Sequence, residues 1–66
     1  MQITLNGQPH PIEEETTLSG LLESLGLTGK PVVAEQNEQA ILPRDFPTTP
    51  VQPGDELEII TLAAGG

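Results

Sequence analysis

The chain has no cysteine, tryptophan or tyrosine, and Phe46 is its one aromatic residue. Without Cys there can be no disulfide, no thiolate metal site and no thiol nucleophile. With a single Phe, the core has to be assembled from Leu, Ile and Val. Positive charge is scarce as well: Lys30 and Arg44 stand against ten acidic residues, for a net charge of -8. A polyanion is repelled by phosphate backbones and anionic lipid, which argues against nucleic-acid and membrane partners. Steering toward a basic protein surface and simple solubility both agree with this charge. No charged and apolar leader follows Met1, and no apolar run approaches membrane-spanning length. A cytoplasmic location is expected.

The remaining inventory is too thin for catalysis. The lone histidine, His10, sits between Pro9 and Pro11 with Glu13 nearby, a pattern that reads as a solvated surface residue. Glu13-Glu14-Glu15 reads as a solvated turn. Gly29-Lys30 echoes the end of a phosphate-binding loop, but Ser24 stands where the first Gly is required and Pro31 where Ser or Thr is required.

What the chain does have is clear periodicity and punctuation. Sixty-six residues make one small domain, which buries about 60% of its unfolded surface. Gln2-Ile3-Thr4-Leu5 alternates and is followed by Asn6-Gly7, the strongest short hairpin signal, because a type I′ turn needs positive φ at both central residues. The returning strand, Gln8 to Glu13, holds two prolines and belongs at a sheet edge. Thr17 is placed to cap a helix whose stripe is Leu18, Leu21, Leu22 and Leu25, with Gly26 as a left-handed stop and Leu27 as its apolar contact. Gly20 inside that helix costs about 1 kcal/mol relative to Ala. Pro31 to Gln36 reads as a third strand and Ile41-Leu42 as a short fourth piece. Arg44 to Pro50 reads as one loose helical turn, Pro53-Gly54-Asp55 as a turn, and Glu56 to Leu62 as the last strand.

This order predicts an α+β fold: a β-grasp, or ubiquitin-like, roll. Its mixed sheet has four to five strands, with the first and last strands parallel neighbours at the centre. One helix packs on one face, against Ile3, Leu5, Leu57 and Ile59. Strand parity then turns Ile60 and Leu62 outward as a candidate partner-docking patch. Residues 1–62 form the domain, and residues 63–66, Ala-Ala-Gly-Gly, a flexible tail. Extended, those residues reach roughly 13 Å, and two terminal glycines admit close approach by a partner's catalytic groups.

The one reactive group left is the carboxylate of Gly66. It is a poor electrophile until activated, for which adenylation by a nucleotide-binding partner suffices. The activated acyl group can pass to a lysine, making a tag, or to sulfur, making a thiocarboxylate. The lack of Cys agrees with either fate, since no internal thiol competes.

Five segments stand in a telling order: Ile3-Thr4-Leu5-Asn6-Gly7, then Ala34-Glu35-Gln36-Asn37, Ile41-Leu42-Pro43-Arg44, Gly54-Asp55-Glu56-Leu57-Glu58-Ile59 and terminal Gly65-Gly66. With this ordered set the sequence resembles, over essentially the whole chain, the ThiS family of sulfur carriers in thiamine biosynthesis. The segment from Asn37 to Ile41 is one residue longer than the usual turn, which leaves its register open. The resemblance implies a non-enzymatic co-substrate that binds no cofactor or metal itself and is a monomer when free. A ThiF-type enzyme adenylates Gly66 with ATP and Mg²⁺, and sulfur from the persulfide of a donor enzyme replaces AMP. The thiocarboxylate on Gly66 then feeds thiazole synthase (ThiG), with Gly65 as spacer. Arg44 carries no chemistry in this reading and is expected to pair with Asp45 or Asp55. The small subunit of molybdopterin synthase, a ubiquitin-like modifier and an inert interaction module are the competing readings.

Overall fold

The computed structural model describes residues 1–12 and 14–62. Its first element is the hairpin that Asn6-Gly7 demands. Strands β1 (Gln2–Leu5) and β2 (Gln8–Pro11) pair antiparallel, Leu5 opposite Gln8. The turn residues have φ of 51° and 81°, the two left-handed positions of a type I′ turn. The proline-bearing β2 occupies an edge, as expected of a strand short of donors.

Thr16–Thr17 (β3) leads into helix α1 (Leu18–Ser24). The Gly20 N–H donates to the Thr17 hydroxyl at 3.2 Å, so Thr17 is the N-cap. At the other end Gly26 has φ 74°, the Leu27 N–H donates to the Leu22 carbonyl at 2.9 Å, and the Gly26 N–H to that of Glu23 at 3.0 Å. These two bonds are a Schellman closure, and Leu27 follows as its apolar contact. Gly20 has a packing reason absent from the sequence pattern. A Cβ there would collide with the Thr16 hydroxyl, which would have to rotate away to admit it.

Strands β4 (Val32–Gln36) and β5 (Gln39–Ile41) form a second hairpin, and β7 (Glu56–Thr61) closes the sheet. The order is β2-β1-β7-β4-β5, with β7 parallel to β1 and antiparallel to β4. The fourth piece is Gln39–Ile41, shifted from the Ile41-Leu42 expected. The register left open around it is a regular one: Gln36 faces Gln39 and Ala34 faces Ile41, so only Asn37 and Glu38 form the turn. The expected single loose turn is a six-residue 3₁₀ helix, Pro43–Thr48. Pro50–Val51 (β6), read as loop in the sequence, pairs with β3 in a separate two-stranded sheet.

The helix stripe and sheet face interlock as expected. Ile3, Leu18 and Leu57 are fully buried, with Leu21, Leu22 and Ile59 beside them. Each such side chain contributes about 1.5–3 kcal/mol by leaving water. Leu5 and Leu25 pack only partly against this cluster. Val32, Ala34, Ile12, Phe46 and Val51 complete it. The last three come from segments whose Pro-rich composition hides periodicity. Phe46 joins the core from the 3₁₀ helix.

Candidate functional site: the tail-bearing strand and its surfaces

Gly65 and Gly66, with Ala63 and Ala64, lie outside the described residues. The structure does describe the strand that carries them. β7 is the central strand, and two asparagines hold it from opposite sides. Asn6 accepts from the Ile59 N–H through Oδ1 at 2.8 Å and donates from Nδ2 to the Ile59 carbonyl at 3.2 Å. Its carboxamide thereby imitates the strand residue that β1, having turned away, no longer provides. On the other side Asn37 accepts from the Glu56 N–H at 2.9 Å, and its own N–H donates to the Glu56 carbonyl at 2.8 Å.

Asn37 also enters a polar cluster around Asp55, the one buried acidic side chain among the described residues. Its Nδ2 donates to Asp55 Oδ1 at 3.1 Å, while Gln36 Nε2 and the Gln52 N–H each donate to Oδ2 at 2.8 Å. Burial pushes the Asp55 carboxyl upward. The Gln52 backbone bond and the amides of Asn37 and Gln36 outweigh it and hold the group below its ordinary value. Both oxygens are thus occupied without a cation, which corrects the expected Arg44–Asp55 pair. Asp45 uses its backbone carbonyl, accepting from the Thr48 and Thr49 hydroxyls, and Arg44 is exposed. The family-like segments Gln36-Asn37 and Gly54-Asp55 are therefore partners in space, a relation that their separation in sequence concealed.

The open face of the sheet divides in two. Toward the tail, Ile60 is 57% exposed and pairs with Val33, at 44% the apolar neighbour that sequence reasoning overlooked. Toward the other end, Glu35 stands directly opposite Glu58, with Glu38 and Glu56 around the same hollow. Like charges directly opposed on a sheet are destabilising. Leu62, 51% exposed, meets different neighbours. It borders a groove of about 570 Å³ on the helix side, walled by Leu22, Leu27, Val32 and Phe46 and flanked by Lys30. The two candidate patch residues thus edge two surfaces.

The discounted residues stay apart from this region. His10 is half-buried opposite Ile3 in the β1–β2 pair. Among the described residues no three His, Cys, Asp or Glu side chains are grouped to hold a metal ion. None of the helices there is long and apolar enough to cross a membrane.

Comparison with known proteins accounts for this arrangement. The ThiS family model matches residues 3–66. The sulfur carrier protein ThiS of Thermus thermophilus is 39% identical over 64 residues, covering 97% of this chain and 98% of that one. A thiazole synthase of Magnetococcus marinus is 36% identical over all 66 residues, and the chain spans only 20% of its length. The crystal structure of a thiamine biosynthesis protein, ThiS, from Geobacter metallireducens superposes with a TM-score of 0.84 at 29% identity, each chain fully covered. With the β-grasp order of strands, the helix on one face and this match through the terminal glycines, the chain belongs to the ThiS family.

Proposed function

We propose that this chain is the sulfur carrier of thiamine biosynthesis, a cytoplasmic co-substrate rather than a catalyst, monomeric when free, with Gly66 as the sulfur-bearing residue. The observation that supports it most is the family match, which runs unbroken from the central β-grasp strand into Gly65-Gly66. The alternatives of molybdopterin synthesis and protein tagging are not favoured by any of the relatives described above.

In this mechanism a ThiF-type partner supplies ATP and Mg²⁺. A carboxylate oxygen of Gly66 attacks the α-phosphorus of ATP, pyrophosphate leaves, and an acyl adenylate forms. The outer sulfur of a donor enzyme's persulfide attacks the acyl carbon and AMP departs. A thiol then cleaves the resulting acyl disulfide and leaves the thiocarboxylate. Gly65, lacking a side chain, lets the partner's groups surround that carbon. The sulfur passes to a thiazole synthase. A relative bearing that name contains a stretch like this entire chain, which favours such an enzyme as the recipient. The domain acts as the grip: Ile60, joined by Val33, and Leu62 at the lip of the neighbouring groove form the docking contacts.

Protein isolated with the adenylating enzyme, ATP and sulfur donor will show an intact-mass gain equal to exchange of one oxygen for sulfur, located at Gly66. An unchanged mass with all components active overturns the proposal, and conjugates of high mass would assign the chain to tagging instead. Ile60→Asp and Leu62→Asp will weaken partner binding with the fold retained; unaltered binding removes the docking assignment.

A further inference from the structure

β7 is longer than the strand beside it. Its parallel pairing with β1 covers only Thr4 opposite Glu56 and Leu5 opposite Leu57. β1 then leaves through the Asn6-Gly7 turn, and the Asn6 carboxamide satisfies Ile59. On the β4 side, the Asn37 N–H bonds the Glu56 carbonyl and the Leu62 N–H bonds the Pro31 carbonyl. Hydrogen-bonded positions alternate along an antiparallel pair, so Glu58 and Ile60 also face β4, whereas Leu57, Ile59 and Thr61 face the β1 side. Beyond Ile59 that side has no strand among the described residues. The N–H and C=O of exposed Thr61 point into this gap, at the end of β7.

We propose that this short open edge is a strand-addition slot. An extended backbone segment of the adenylating enzyme pairs with Thr61 in the lane vacated by β1. Asn6 closes one end of the slot and so sets the register of the added segment. Main-chain pairing of this kind holds a peptide extended irrespective of its side chains, which suits a terminus built of Ala and Gly. It also explains the economy of the edge: β2 is protected by Pro9 and Pro11, while the inner edge at Thr61 is left open over a single residue, too short to invite aggregation. The inference rests on the sulfur-carrier reading for the identity of the partner.

A chain of this length can be made by chemical synthesis, so a single backbone amide can be replaced by an ester. An ester at Thr61 removes an N–H that faces no strand among the described residues and only weakens the Ile60 carbonyl toward β4; melting should fall slightly, while the affinity for the adenylating enzyme falls about tenfold. An ester at Ile60, whose N–H faces β4, should instead destabilise the fold. By hydrogen exchange, the Thr61 amide should exchange rapidly in the free chain and become protected in the complex. Unchanged affinity of the Thr61 ester, or a Thr61 amide that stays unprotected in the complex, overturns the slot. Sulfur would still load onto Gly66 in that case, whereas failure of the carrier reading shows as an unmodified Gly66 whatever the state of Thr61.

Discussion

Two tight hairpin turns among the described residues, Asn6-Gly7 and Asn37-Glu38, both begin with an asparagine at φ 51° whose side chain grips β7. Only the first is visible in the sequence. Asn-Gly supplies both residues that tolerate positive φ, whereas Glu38 holds a φ of 70° with no such tolerance. The first turn is set by its own residues. The second is set by what surrounds it: Asn37 is bound to Glu56 on one side and Asp55 on the other, and this bonding carries Glu38 into a conformation it would not choose.

If so, breaking the surroundings should damage the second turn most. Asp55→Ala leaves the amides of Gln36 and Asn37 and the Gln52 N–H without their acceptor. The expected loss is about 3 kcal/mol, since bonds to a charged group are worth about 1.5–3 kcal/mol and orphaned donors add to the cost. Urea unfolding followed by circular dichroism measures it, and a loss below about 1 kcal/mol would show that the cluster is incidental. The equivalent lesion at the first turn is smaller. Asn6→Ala removes two bonds to Ile59 and puts Ala at positive φ, costing about 2 kcal/mol. Its damage should appear as faster exchange of the Ile59 amide, with β4–β5 amides unaffected.

The clusters also differ in pH response. The folded Asp55 carboxyl lies below its ordinary value. Its contribution is therefore complete above the unfolded pKa of about 3.9 and is lost as pH falls through the lower folded value. Acidification should narrow the stability gap between wild type and Asp55→Ala. The gap for Asn6→Ala should stay constant, because no titrating group takes part there. Parallel pH profiles for the two variants would contradict this.

The same contrast explains what was legible. Period and punctuation announced β1, β2, the helix with both its caps, and β7, because in each the local preference agrees with the fold. Phe46, Val51 and Ile12 were not recognisable as core, since proline-rich segments bury single residues without any repeating pattern. The β3–β6 pair was hidden for the same reason. Of the site, the exposure of Ile60 followed from alternation, but its partner Val33 required knowing that β4 lies beside β7. The Gln36–Asn37–Asp55 cluster could be found only as separate motifs, because hydrogen bonds between distant segments leave no periodic trace.

The smallest effect is the sharpest test of the comparison. Glu38→Gly relieves a left-handed residue that has a Cβ, a strain of about 1–2 kcal/mol, while adding the chain entropy of Gly to the unfolded state. The net expectation is a gain of about 0.5–1 kcal/mol. It also removes one charge from the hollow shared with Glu35, Glu56 and Glu58, which acts in the same direction. Glu38→Asn removes the charge and suits positive φ while keeping a side chain, and it should recover most of the gain. Glu38→Gln removes the charge alone and should recover little. If Gln stabilises as much as Gly, repulsion among the glutamates and not backbone strain is what the second turn bears, and the two hairpins differ in charge rather than in conformation.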